Sequence, residues 1–266
     1  MALALALGVT LITLISLALF IWHPWWFPIS IGADARAADH QFAITFLITG
    51  VIFVLAQLGL AFLIWRNRDR GDARPAAYLL GNNKLEATWT VLAAVIFLGL
   101  SFMGYRLWAN THFTGAEPGA LRIEVWGEQY AWHFRYPGPD GRFGATHVEL
   151  IDETSNNELG LDRKNDPDAK DDVVTTELAV PVNHPVELIL RSKDVTHSFF
   201  VRELRLKQDL VPGMEIPIHF TATRLGDYEI ACSQLCGMGH FGMRSVLHVI
   251  SEGDYQKWLV AQAAGP

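Results

Sequence analysis

Two cysteines, a histidine and a methionine share one short stretch near the C-terminal end: Cys232-Ser-Gln-Leu-Cys236-Gly-Met-Gly-His240-Phe-Gly-Met243. The 266-residue chain has no other cysteine. Thiolate, imidazole and thioether together make a soft ligand set that suits copper. Glycines at 237, 239 and 242 let the backbone fold closely round an ion. A Cys232–Cys236 disulfide would leave His240 and Met243 unexplained. Structural zinc rarely takes Met and asks for a fourth Cys or His. A single blue copper uses one Cys with His and a weak Met. Two thiolates instead fit two coppers sharing both sulfurs. That arrangement needs a second histidine. The best candidate is His197, in Ser192-Lys-Asp-Val-Thr-His197-Ser-Phe. His219 and His248 fall in strand-like runs, and His184 sits in a turn without matching neighbours.

The elements around this cluster read as β-structure. Period-two alternation marks strands over 121–126 and 130–136. Further short runs lie at 178–182, 186–190, 197–201, 215–220, 227–231 and 244–250, separated by turns such as Pro137-Gly-Pro-Asp-Gly141 and Pro212-Gly213. The cysteine segment is therefore a loop between two strands at one end of a sandwich. Residues 254–264 read as a short helix. Residues 152–172 interrupt the rhythm with 8 Asp/Glu and 3 Lys/Arg, and read as a solvated insertion loop. Asp162, Asp166 and Asp168 offer carboxylates for a hard cation, although their spacing does not match an EF-hand, and a third use of the segment is an acidic docking surface for a basic partner. Phe199, Phe200 and Phe241 are expected to give the metal loop an apolar cover.

The N-terminal part is membrane-like. Uncharged apolar runs cover Ala2–Trp22, 42–65 and 88–105, each long enough to span a hydrocarbon core of ~30 Å. The first run has no Lys or Arg before it and ends in Trp22, Trp25, Trp26 and Phe27, an interfacial aromatic belt. It reads as a retained helix, although small residues at 33–38 would allow cleavage of a signal-like segment. Arg66, Arg68, Arg70, Arg74 and Lys84 make the densest basic flank, so the loop between the second and third runs is expected to be cytoplasmic. The chain from Asn110 onward then lies on the outer side. The expected division is an extra membrane helix or signal-like segment at 1–30, a helix pair at 40–110, a β domain at 111–252 and a short tail at 253–266.

Composition closes off other classes. Hydrophobic residues make up 50% and charged residues 18%, which disfavours disorder. Two cysteines cannot staple a chain of this length. A net charge of −7 excludes the basic stripe of a nucleic-acid binder. From Asn110 on, 14 Lys/Arg against 23 Asp/Glu give −9, so the acid lies in the outer domain.

The helix pair, the aromatic strand 126–136, the segment 194–213 and the cysteine loop together resemble subunit II of the haem–copper cytochrome c oxidases. The resemblance implies a membrane α-helical part joined to an all-β, Greek-key, cupredoxin-like domain holding a binuclear CuA centre. It implies that Cys232 and Cys236 bridge two copper ions. His197 and Met243 would complete one copper, and His240 with the backbone carbonyl of Gln234 the other. The chain would accept electrons from cytochrome c, or from a donor fixed in a larger complex, and pass them to haem in subunit I. Oxygen would be reduced to water there, with proton pumping. No oxygen site is expected in this chain. Further oxidase subunits are implied as partners, in a bacterial-type inner membrane with the β domain on the periplasmic side. Asn83-Lys-Leu-Glu86-Ala-Thr-Trp-Thr90 resembles the family's second membrane helix, which places Glu86 near a proton-uptake path. Its position at a helix N-terminus also suits a carboxylate for electrostatic reasons. Two departures stand out. Gln234 replaces the family's usual Glu, whose side chain helps hold magnesium at the subunit I boundary, so magnesium there depends on a neutral amide. Tyr130 replaces the exposed Trp that receives the electron, with Trp132 beyond it. A copper-binding or copper-delivery membrane protein is the alternative role, whereas quinol-oxidase subunits lack these ligands.

Overall fold

The structure is a computed structural model that describes residues 1–22, 27–71, 78 and 81–263. The aromatic belt at Trp25 and Trp26, the basic-loop residue Arg74 and the tail beyond 263 lie outside the described residues. The chain divides into two units.

The first unit is helical. Helices α1 (Ala2–Trp22), α2 (Ala35–Arg66) and α3 (Asn83–His112) are each long and apolar enough to cross a membrane. Their hydroxyls do not stay bare: Thr13 donates to the Val9 carbonyl at 2.8 Å and Thr45 to the Gln41 carbonyl at 2.8 Å. Such bonds to the preceding turn satisfy a polar group where no water is available. Phe20 of α1 and Phe46 of α2 meet with ring centroids 5.6 Å apart. Gln41 of α2 donates to the Leu100 carbonyl of α3 at 3.2 Å. Asn82 caps α3 by accepting from the N–H groups of Lys84 and Leu85, both at 3.1 Å, and Glu86 follows in the first turn.

The second unit is a sandwich of two five-stranded sheets. Its strands are β1 (Leu121–Glu128), β2 (Ala131–Tyr136), β3 (Val173–Thr175), β4 (Leu178–Pro181), β5 (Pro185–Ser192), β6 (His197–Val201), β7 (Leu206–Leu210), β8 (Ile216–Thr221), β9 (Gly226–Cys232) and β10 (Arg244–Ile250). Sheet one runs β3-β2-β1-β5-β8 and sheet two β4-β10-β9-β6-β7. The β1–β5 and β4–β10 pairs are parallel and the rest antiparallel. Ile123, Val125, Phe134, Leu188 and Ile218 of sheet one face Leu178, Phe199, Ile230 and Leu247 of sheet two in one core. Tyr136 ties the sheets together, its hydroxyl donating to the Ala179 carbonyl and accepting from the Ala179 N–H. Residues 29–36 also belong to this unit. Ile31 is fully buried, Gly32 bridges to Ala222, and the Thr223 N–H donates to the Ile31 carbonyl. Helix α4 (Glu252–Ala263) starts at Ser251, whose hydroxyl accepts from the Asp254 N–H, and packs Tyr255 and Trp258 against Tyr136.

Strands β3 and β7 were not expected. Each is short, and the Leu206-Lys-Gln-Asp-Leu210 sequence of β7 buries only its two ends. The acidic segment is also more than a solvated loop. Leu159, Leu161 and Ala169 form a second small core against Trp126 and Val174, on the outer face of sheet one. Asp172 is buried with Arg135 and Glu124. Arg135 donates to Asp172 through Nε at 3.0 Å, to Glu124 through Nη1 at 3.0 Å, and to the Gly144 carbonyl. Three apolar residues spread over such a stretch carry no period. They become a core because Trp126 points outward and needs cover.

Candidate metal centre

The ligand atoms converge from two places. His197 opens β6, and Phe199 two residues on pairs with Cys232 at the end of β9. The cysteine loop then runs to β10. It is closed at its base by the Cys232 N–H donating to the Met243 carbonyl at 3.1 Å, and held to β6 by the Ser233 N–H donating to the Ser198 carbonyl. A 3-10 turn over His240–Gly242 aims the histidine back at the thiols.

Cys232 and Cys236 are buried and unbonded, with sulfurs 3.9 Å apart. One ion at about 2.3 Å from each of two thiolates needs sulfurs within about 4.6 Å, a condition this spacing meets. Nδ1 of His240 lies 3.7 Å from the Cys236 sulfur, the Met243 sulfur 3.9 Å from it, and the Gln234 carbonyl 3.2 Å from the Cys232 sulfur. His197 offers a ring nitrogen within 4.8 Å of both thiols and is fully buried. Its Nε2 bonds Asp194 at 2.8 Å, and its Nδ1 is buried with no hydrogen-bond partner. An orphaned imidazole nitrogen beside two thiols fits a bound ion. Burial, and then the neighbouring Cys232 thiol, push the Cys236 thiol up to about 11, so metal must displace a proton to bind.

All six expected ligands therefore meet in one place. Two of the histidines set aside on sequence lie elsewhere. His219 stands opposite Glu187 in the β5–β8 register, and His248 is bracketed by Asp227 at 2.7 Å and Glu177 at 3.1 Å. Among the described residues, His197 with Cys232 and Cys236 is the only group of three or more His, Cys, Asp or Glu placed for a metal.

The cover differs from the expectation. Phe199 is buried and Phe200 half-buried, but Phe241 is 82% exposed. The turn over 240–242 that brings His240 inward sends its neighbour out. Trp132 is only 2% exposed and packs edge-on to His197 and Phe199, so of the two aromatics expected at the electron-accepting surface only Tyr130, at 40%, reaches it. Glu86 and Gln234 are both exposed.

Three supporting residues carry no ligand signature and were not singled out by sequence. Asp194 holds His197 from three residues upstream, and that spacing was its available signal. Gly127 is needed because a Cβ there would stand 3.0 Å from the His197 ring. Gln129, beside Tyr130, donates to the Cys236 carbonyl at 2.5 Å.

Residues 121–250 match the family described as "Cytochrome C oxidase subunit II, periplasmic domain", and residues 21–107 match its transmembrane domain. The alternative cytochrome c oxidase subunit 2 of Bradyrhizobium diazoefficiens is 36% identical over 97% of this chain and 92% of that protein. The cytochrome c oxidase subunit 2 of a Synechocystis species is 31% identical over 90% of this chain and 76% of that protein. A crystal structure of the periplasmic domain of subunit II of cytochrome oxidase from Bradyrhizobium japonicum covers 55% of this chain and 96% of its own, at 26% identity and a TM-score of 0.41.

Proposed function

The chain belongs to the cytochrome c oxidase subunit II family, and on that premise we propose that it carries a binuclear copper centre through which electrons reach haem in subunit I. The observation that carries this reading is the convergence of two free thiols, the orphaned Nδ1 of His197, Nδ1 of His240, the Met243 thioether and the Gln234 carbonyl. When bound, two coppers bridged by both thiolates supply a one-electron carrier. Cys232 and Cys236 would bridge, His197 with Met243 would serve one ion, and His240 with the Gln234 carbonyl the other.

The chain's own part is to keep the ligands still. Asp194 accepts from His197 Nε2 and so directs Nδ1 at the thiols. The hydrogen bonds at the loop base fix the cysteine backbone to β6 and β10, so the ligand positions belong to the sandwich rather than to a free loop. Trp132 and Phe199 exclude water from one side. A site that does not rearrange keeps the barrier to electron transfer low. Tyr130 is the aromatic surface over the loop where a cytochrome c or a fixed donor would hand over its electron. Further oxidase subunits would surround the helices, the membrane would be a bacterial inner membrane, and the β domain would face the periplasm, with oxygen reduced in subunit I and proton pumping coupled there. Glu86 would lie near a proton-uptake path of subunit I. A magnesium ion at the subunit I boundary would meet Gln234 as a neutral amide, with weaker attraction than a carboxylate.

The test uses the assembled oxidase. Cys236→Ser should slow haem reduction by reduced donor at least about a hundredfold, the upper end of what loss of a mere supporting partner costs a metal site, while haem content stays unchanged. Haem reduction at the unaltered rate would remove the electron-transfer role and leave copper delivery.

A further inference from the structure

We propose that Gln129 is a positioning residue that fixes the two halves of the metal site to each other. The proposal builds on the copper reading, but its first test needs no metal. Gln129 lies in the turn between β1 and β2, in sheet one. The ligands come from β6 and from the loop between β9 and β10, in sheet two. Two hydrogen bonds from this single residue reach both ligand-bearing segments, the β9–β10 loop and the β5–β6 loop that leads into His197. Its side-chain amide donates to the Cys236 carbonyl at 2.5 Å, and its backbone N–H donates to Oδ2 of Asp194 at 2.7 Å. The other oxygen of Asp194 bonds the His197 ring at 2.8 Å. Cys236 on one side and His197 on the other are thus referred to one fixed point outside the ligand set.

The fit around this point is tight. A Cβ at Gly237 would stand 2.7 Å from the Gln129 amide nitrogen, and one at Gly239 2.5 Å from the Tyr130 ring. The loop backbone therefore lies directly under Gln129 and Tyr130. A carbonyl can be held in this way only by a donor. Gln supplies one with no charge, whereas Glu of the same length would present an acceptor to an acceptor. The peptide of Cys236 carries its sulfur, so freeing that carbonyl frees a bridging ligand.

The experiment compares Gln129→Met and Gln129→Glu with the unaltered full-length chain in detergent. Met keeps the length and stem but has no donor, and both variants keep the backbone N–H to Asp194. In the metal-free chain, alkylation of Cys236 by a small thiol reagent reads local opening of the loop. It should rise about fivefold in Gln129→Met, the factor of one net hydrogen bond, and further in Gln129→Glu. Circular dichroism and the melting temperature should stay near those of the unaltered chain. With copper bound, both variants should show a shifted potential and altered copper hyperfine couplings. Unchanged alkylation with an unchanged spectrum overturns the proposal. So does an equal rise in both variants, which would mean lost packing rather than a lost donor. A raised alkylation rate in a chain whose unaltered form never gives a two-copper signal keeps the positioning role and removes the copper reading instead.

Discussion

Asp194→Ala separates the holding of His197 from the packing around it. The carboxylate accepts from His197 Nε2 at 2.8 Å, from the Gln129 N–H at 2.7 Å and from the Val195 N–H at 2.6 Å. Gln129 is exposed and Val195 only partly buried, so water can replace Asp194 at both N–H groups. Oδ1 of Asp194 serves both the Val195 N–H and His197 Nε2, so a water that takes its place also meets the ring, as a neutral acceptor with no fixed position. Alanine therefore exchanges a charge-assisted bond for a weaker and mobile one, at a cost of about 1–3 kcal/mol. The same carboxylate accepts only, so it keeps the proton on Nε2 and leaves the lone pair on Nδ1, toward the thiols. Without it the useful tautomer is no longer selected. Loss of such a supporting partner weakens metal binding by about 10–100-fold. Competition titration against a copper chelator, on metal-free protein, reads this directly. Asp194→Asn still offers an oxygen to Nε2–H and should stay within about threefold of the unaltered chain. If Asp194→Ala bound copper as tightly as the unaltered chain, His197 would not be held as described.

Other outcomes follow from the same structure. Arg135 is 1% exposed and joins Glu124 to Asp172; Glu124 keeps Arg191 at 3.1 Å, but Arg135→Met should leave the buried Asp172 carboxylate without a cation and cost about 3–5 kcal/mol by chemical denaturation. Adding Asp172→Asn should recover part of that loss, because burial already raises the Asp172 carboxyl above its ordinary range. Burial works against the charge on His248, but hydrogen bonds to Asp227 and Glu177 outweigh it and raise its pKa. A raised folded pKa means a contribution fully present below the ordinary value of about 6.5 and lost as pH rises through the folded value. The stability gap between the unaltered chain and His248→Gln should therefore be widest near pH 5.5 and close at alkaline pH; a gap that widens with pH contradicts the bracketing. The net −9 of residues 110–266 predicts that electron transfer from a basic cytochrome c falls steeply between about 10 mM and 150 mM salt, as the Debye length shrinks from about 30 Å to 8 Å. A flat profile favours a donor held in a fixed complex.

The parts of the molecule that sequence made legible are those with a local signal. Among the described residues, apolar runs announced the three helices of membrane-spanning length, and alternation announced eight of the ten strands, with boundaries off by a residue or two. Residue types and spacing at 232–243 singled out the loop whose thiols, imidazole and thioether converge, and His197, sought as a second imidazole, lies beside them. What sequence hid depends on contacts between distant segments. Gln129 and Cys236 are 107 residues apart, and an exposed polar residue in a turn has no pattern of its own. Phe241 looked like cover by composition, but a three-residue turn sets its direction. Leu159, Leu161 and Ala169 looked incidental until the outward face of Trp126 was in place to receive them.

The most direct test of the central claim is the electron-spin spectrum of the copper-loaded, half-reduced full-length chain, taken beside Cys232→Ser and Cys236→Ser. If two coppers share the Cys232 and Cys236 sulfurs, which lie 3.9 Å apart, one unpaired electron should be shared equally by both copper nuclei. That shared signal should vanish in both serine variants, because one bridge cannot hold the pair. A spectrum from a single isolated copper in the unaltered chain, or a shared signal that survives either substitution, would contradict the account.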